Sequence, residues 1–311
     1  MATRTRTRKK PQPTLELGQP EQNPVPVKTE QPKSEPPVPA KPLTTVQRFQ
    51  RYMENYRDTV LPDLLDSHNI PVAKFIQVVN TEIKKNEKLQ QAFVENPASM
   101  FASILAGAEI GLMPSNQQEF FLIPRRIDGK LTVTPQIGYR GLVAIILRSG
   151  EVDHIDTYLV FEGEKFKVTY GLKPNIEHEG NYEIPRNSET LRFVYAVATL
   201  KSGRQQFFVM SKGEIIKVQQ LSKYNNELYF NDKKDPNFWM ARKTALIQLA
   251  KLLPKDYYGK QAVDLEQRIE GGAYLSLDEN NQIKIVEGKA ISPVKQASAI
   301  KTFNSLPDLP E

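Results

Sequence analysis

Residues 119–150 read EFFLIPRRIDGKLTVTPQIGYRGLVAIILRSG. Apolar and β-branched residues flank Asp128-Gly129 on both sides. They predict strands over about 119–124 and 131–137, joined by the turn Ile127-Asp128-Gly129-Lys130. Asp-Gly between two strand patterns is a strong hairpin signal, because both residues tolerate positive φ. A helix over about 138–149 follows at once. From Phe120 to Gly150 five cations (Arg125, Arg126, Lys130, Arg140 and Arg148) stand against one acid, Asp128. A local concentration of this kind points to a polyanionic partner better than a global excess does.

The rest of the chain is closer to balance. Of the formal net charge of +6, residues 1–43 supply +4 through eight Lys or Arg and four Glu. Any basic patch on the body is therefore local. There is no cysteine, which excludes disulfides, zinc fingers and thiolate-held clusters. No apolar run approaches ~18 residues, so a membrane span is not expected. The N-terminus has basic residues but no apolar core of a secretory signal. The absence of cysteine is compatible with a reducing cytoplasm.

Residues 1–43 read as a disordered, Pro-rich basic tail, with ten prolines and too little apolar content for a core. Its first cations, in RTRTRKK, either add loose phosphate contacts or merely aid solubility. Residues 44–271 form the expected ordered domain, and 272–311 a weakly structured C-terminal tail. Helices are predicted over 45–66 and 72–86 from apolar spacing. Another starts at Asn96-Pro97, a capping residue followed by proline, and ends at Gly111. Its small residues (Ala102, Ala106, Gly107, Ala108) permit close packing. Further strands are predicted near 152–162, 165–170, 191–200 and 205–210, and helices near 211–222 and 236–253. The fold class is α+β: a helical N-terminal region, then a central antiparallel sheet with packed helices.

Two helices carry the candidate chemistry. On a wheel of ~100° per residue, Leu142, Val143, Ile145, Ile146 and Leu147 form a core face. Arg140, Gly141, Ala144 and Arg148 share the other side, where small residues let a phosphate backbone approach the guanidinium groups. The plain alternative is a solvated polar face. In DPNFWMARKTALIQLAKLLPK, residues 235–255, Asp235 caps and Pro236 starts a helix with Trp239, Leu246, Ala250 and Leu253 as its apolar stripe. Arg242 falls inside that stripe, where a charge is costly unless paired. It therefore reads equally as a buried ion-pair partner or as a nucleic-acid contact. Lys243, Lys251 and Lys255 flank the stripe and are expected to reach phosphate. Trp239 is expected in the core. Tyr139, beside Arg140, is the aromatic expected near the basic patch, since stacking beside cations holds single strands.

Catalytic signals are poor. Strand alternation puts His154 and Asp156 on one face and Asp153 on the other, an incomplete metal site. His68 and His178 sit in loop-like contexts with no visible partner. No G-x-x-x-x-G-K-[ST] occurs, which argues against an ATP-driven recombinase. Neither catalytic residues, metal nor cofactor is expected. The rival readings are a metal-dependent nuclease and a structural DNA-packaging protein.

Over roughly residues 45–260 the sequence resembles the RecT family of phage and bacterial single-strand annealing proteins. The blocks that carry the resemblance are GLMPSNQQEFFLIP, IGYRGLVAIILRSG, EVDHIDTYLVFEGEKFKVTYGL, YAVATLKSG and WMARKTALIQLAKLLP. Two departures raise or keep the charge. The family often has a small or aromatic residue after Ile-Pro, where this chain has Arg125-Arg126. It commonly has two lysines where this chain has Arg242-Lys243. The resemblance implies a core akin to that of other annealing proteins and assembly into rings or helical filaments. It also implies ATP-independent pairing of single-stranded DNA into annealed duplex, in recombination and repair. The partners it implies are a 5′–3′ exonuclease and a host single-strand-binding protein.

Overall fold

The computed structural model describes residues 42–222 and 228–287. Most of the predicted N-terminal tail and residues 288–311 lie outside them. The body opens with helices α1 (Thr45–Arg57), α2 (Leu61–Leu65), α3 (Val72–Lys85), α4 (Glu87–Glu95) and α5 (Pro97–Glu109). Hairpin β1 (Phe120–Ile127) and β2 (Lys130–Ile137) follows, then α6 (Tyr139–Arg148). Next come β3 (Val152–Phe161), β4 (Lys165–Thr169), β5 (Asn175–Glu179), β6 (Leu191–Leu200) and β7 (Gln205–Ser211). Helices α7 (Lys212–Leu221), α8 (Trp239–Leu252) and α9 (Tyr257–Glu270) and hairpin β8 (Tyr274–Leu277) with β9 (Ile283–Val286) complete it. Strand pairing among the described residues is antiparallel, with β3-β6-β7 as a three-stranded sheet and three separate hairpins. The α+β class holds.

Several predicted boundaries move. The single helix expected over 45–66 breaks after Arg57. Pro62 lacks an N–H and sits in the first turn of a new helix, and a 3-10 turn, Asp66–His68, follows. Helix α8 starts at Trp239 rather than Pro236, because buried Phe238 takes a left-handed φ of 53° just before it. Asp235 still serves that end, accepting from the Met240 N–H at 2.9 Å. Five elements were not foreseen: α4, α9, β5, β8 and β9. The tail expected from residue 272 is also part of the fold as far as β9, since Leu275 and Leu277 are buried in the core.

Helix α5 is the centre of the packing. Asn96 caps it through Ser99 N–H at 3.2 Å, as its sequence predicts, and Ser99–Glu109 are buried all round. Its small residues bring it against β2. That strand turns the N–H groups of Leu131, Val133 and Ile137 away from β1, and each finds a side chain. Glu95 accepts from Leu131 at 2.6 Å, Ser99 Oγ from Val133 at 3.0 Å and Glu266 from Ile137 at 2.8 Å. The intervening position is Pro135, which has no N–H to satisfy. An edge strand is thus closed by side chains instead of another strand.

The β1–β2 turn is tight, with positive φ at Asp128 (50°) and Gly129 (81°). Two glycines then let α6 start against the preceding chain. A Cβ on Gly138 would lie 2.0 Å from the Gln118 carbonyl oxygen, and one on Gly141 2.1 Å from that of Glu119. The Glu119 carbonyl is itself held by the Gly138 N–H at 2.8 Å. So Gly141 serves close packing, not the approach of a ligand. We expect Gly141→Ala to cost at least ~3 kcal/mol, or roughly 6–12 °C in Tm. Gly213→Ala in α7, where a Cβ would meet only Ser211 Oγ at 4.0 Å, should leave Tm unchanged or raised. Equal melting of the two variants would show that the α6 start is not constrained.

Candidate nucleic-acid interface

One face of the β1–β2 hairpin carries Phe121, Ile123 and Arg125, with Gln136, Thr134 and Thr132 opposite them. The other face, with Phe120, Leu122, Val133 and Ile137, is core. Alternation therefore turns Phe121 outward while Phe120 is buried. The outward face meets the first turns of α6 and α8 in a groove of about 310 Å³. Phe121, Tyr139 and Trp239 give it aromatic walls, and Arg140, Gln136 and Met240 line it too. Trp239 is 45% exposed, which corrects the expectation that it is core. Its ring lies 5.1 Å from that of Tyr139.

The cations around this groove differ in how they are held. Arg140 is exposed and makes no hydrogen bond or ion pair among the described residues. Arg125 lies along the hairpin face and donates to Thr134 Oγ1 at 2.8 Å and Gln136 Oε1 at 3.0 Å. Arg242 is half-buried. It donates to the Asn237 carbonyl at 3.0 Å, to the Thr157 carbonyl and to Thr157 Oγ1 at 3.3 Å, and lies 5.5 Å from the centre of the Trp239 ring. Burial lowers its pKa and raises that of Tyr139, whose hydroxyl accepts from Thr157 Oγ1 at 3.1 Å. The groups bonded to Arg242 are neutral oxygens, so its positive charge is not cancelled by a bonded carboxylate.

Lys243 reverses its expected role. It is 3% exposed and its ammonium is bonded to the buried Glu266 carboxylate. The buried ion-pair partner on this helix is therefore Lys243, not Arg242. Adjacent residues on a helix point ~100° apart, and only Lys243 faces α9, where Glu266 waits.

The other predicted contacts lie elsewhere. Arg126 and Lys130 are at the hairpin tip, where Arg126 donates to the Gly129 carbonyl at 2.7 Å. Arg148 is about 12 Å along α6 from Arg140 and binds the end of α5, donating to the Ile110 carbonyl at 3.0 Å. It also lies 3.2 Å from His68 Nδ1, so the two arginines of α6 do not form one phosphate-binding face. Lys251 is exposed and bonded to Gln248 at 3.0 Å. Lys255 folds back onto the carbonyls of Ala250 and Leu253, closing the end of α8. Both lie one full helix length from Trp239, ~18 Å or more.

The histidines also have partners. His68 Nε2 is 2.7 Å from the Glu109 carbonyl, and His178 lies between Tyr195 and Glu164. His154 and Asp156 share a face as predicted and bond at 2.7 Å. No group of three or more His, Cys, Asp or Glu among the described residues is placed to hold a metal ion. No helix among them is long and apolar enough to cross a membrane.

Flat rings beside uncancelled guanidinium charge are the means by which proteins hold nucleic acid. The class these features define is an α+β protein with an aromatic, basic groove suited to a polyanion. The model of the RecT family matches residues 73–280. Over 203 residues the chain is 31% identical to Protein RecT of Escherichia coli (strain K12), covering 63% of this chain and 71% of that protein. The chain belongs to the RecT family, whose members bind DNA and anneal strands in recombination.

Two expectations follow for stability. Lys243→Ala leaves Glu266 buried without its partner and should cost on the order of 3–5 kcal/mol, whereas Arg140→Ala should melt like the parent. A parental Tm for Lys243→Ala would remove the ion pair from this account. Glu270, at the end of α9, provides a pH test. Burial pushes its pKa up from 4.5 to about 7, with Lys243 opposing and Glu266 reinforcing. A carboxyl raised on folding holds its proton more tightly in the native state. Its stabilising contribution is complete below pH ~4.5 and is lost as pH rises through ~7. Glu270→Gln should therefore gain Tm relative to the parent at pH 8 compared with pH 5. A difference independent of pH would refute the shift.

Proposed function

We propose that the chain binds single-stranded DNA along the groove between the β1–β2 hairpin, α6 and α8. In this reading it anneals complementary strands without nucleotide hydrolysis during homologous recombination. The observation that carries it is the convergence of Phe121, Tyr139 and Trp239 with Arg125, Arg140 and Arg242. The rings stack on bases in any sequence, and the guanidinium groups fork onto phosphates. Arg126, Lys130, Arg148, Lys251 and Lys255 lie farther out. They suit a longer strand path or the incoming complement, whose repulsion from the first strand they would offset. Residues 44–271 with the β8–β9 hairpin form the working domain, and residues 1–43 add loose, salt-sensitive phosphate contacts.

One subunit grips few nucleotides, so a homo-oligomer, as a ring or a helical filament, sums weak contacts along one strand. A 5′–3′ exonuclease would supply the single strand, and a host single-strand-binding protein would hand it over. The absence of a phosphate-binding G-x-x-x-x-G-K-[ST] from the sequence supports annealing without ATP.

Trp239 is the one tryptophan in the chain, so its emission reports this groove. Oligo(dT) should quench it. Arg140→Ala should weaken binding to all sequences about equally and flatten the log–log salt dependence by roughly 0.7. Two complementary oligonucleotides should pair faster with the protein and no ATP, and noncomplementary ones should not. Unchanged pairing rates would sink the function. An unchanged salt slope in folded Arg140→Ala would sink the site. Metal-dependent degradation of the strands would establish a nuclease instead.

A further inference from the structure

Beyond Arg242 lies a second and larger cavity, of about 660 Å³, which the groove reading does not use. We propose that it takes unstacked bases of the same single strand, continuing its path past Arg242. This rests on the groove reading above.

The two spaces meet at a small cluster. Thr157 of β3 donates to the Tyr139 hydroxyl on the groove side and accepts from Arg242 through its carbonyl. Arg242 lines the cavity, and its guanidinium lies over Trp239, which lines the groove. A phosphate at Arg242 would therefore have one neighbouring base at Trp239 and the next inside the cavity.

The cavity wall is built for flat rings. Tyr158 stacks on Tyr195 (5.1 Å, 26°), and Tyr195 stacks on Phe166 (5.6 Å, 26°). Tyr195 is buried, while Tyr158, at one end of this run, is 42% exposed. Tyr182 lines the same space, is 84% exposed, and stands 4.8 Å from the Arg186 guanidinium. Arg186 is also 4.3 Å from the Phe161 ring, which fixes the base of this stack.

Charge identifies the ligand as base, not backbone. Arg186 is ion-paired with Glu164, whose pKa is lowered: burial opposes the shift, and bonds from the Phe161 and Asn181 N–H groups, His178 and Arg186 outweigh it. The Tyr158 hydroxyl donates to Asp156 at 3.0 Å. Of the two arginines lining the cavity, Arg242 stands where it meets the groove; farther in, Arg186 is already neutralised and Tyr158 is bonded to a carboxylate, which does not favour a run of phosphates. Neutral heterocycles suit it, with Asn175 and Gln205 as polar groups for base edges.

The test uses the full chain and a single-stranded oligonucleotide, with and without a central run of abasic sites. Base stacking lost to alanine weakens binding by on the order of 10-fold per ring. Tyr158→Ala and Tyr182→Ala should each lose about that much for the normal strand and little for the abasic one. Tyr158→Phe should restore binding, since the ring and not the hydroxyl does the stacking. Trp239 should still be quenched at saturating DNA. Tyr182→Ala removes an exposed ring, so it reports even where Tyr158→Ala unfolds. Parental affinity in both alanine variants, or equal losses on both strands, would overturn the proposal. So would a change in oligomer size without DNA in place of a change in affinity, which would assign the cavity to a second copy of the chain. If Trp239 does not respond while the tyrosine variants still weaken binding, the groove reading fails and the cavity alone holds the strand.

Discussion

A single buried carboxylate sets the geometry of the groove. Glu266 is 1% exposed and uses both oxygens: one accepts from the Ile137 N–H at the end of β2, the other binds the Lys243 ammonium in α8. Three elements distant in sequence are thereby fixed to one point. Removing two charges from water is expensive, and such a pair repays it only with good geometry and all remaining valences used. Here the second oxygen is used by the backbone. Ile137, Gly138 and Lys243 also line the groove. The residue after Ile137 begins the turn that presents Tyr139 and Arg140, so the position of the candidate contacts depends on this link.

The first turn of α6 is then fixed from the other side. Gly138 and Gly141 pass so close to the Gln118 and Glu119 carbonyls that no side chain fits. What makes the IGYRGL block distinctive is thus largely a packing requirement. Its consequence is functional, because the two residues between those glycines, Tyr139 and Arg140, are the ones turned to the groove. A motif can be rich in glycine for the scaffold and still locate the site.

Much of this was legible in the sequence, for identifiable reasons. The hairpin, its Asp-Gly turn and the Asn96-Pro97 helix start depend on local rules, and the structure follows them. Local signals were also present for two elements not foreseen. Asn86 caps α4, accepting from the Lys88 and Leu89 N–H groups, and Asp256 caps α9, accepting from Gly259 at 2.7 Å. The choice between Arg242 and Lys243 had no local signal. The wheel set Arg242 inside the apolar stripe and Lys243 at its flank, and the partner that decides between them, Glu266, is 23 residues from Lys243 in another helix. Trp239 was misplaced because size and hydrophobicity predict burial on average, while the left-handed turn at Phe238 buries Phe238 and leaves Trp239 outside.

Counting cations does not single out the candidate groove, because the chain spends its positive charge in three different ways. Lys243 and Arg186 are bonded to carboxylates, so their charge is cancelled close by. Arg148, Lys255 and Arg242 bond to carbonyl oxygens, which orient the group but leave its charge intact. Among the described residues, Arg140 is held by neither. A polyanion is attracted to the second and third kinds, and a preoriented guanidinium loses less freedom on binding than a free one. Arg242 combines retained charge, fixed orientation and an adjacent exposed ring. Of the predicted contacts it is the one whose surroundings leave it most to gain from a phosphate.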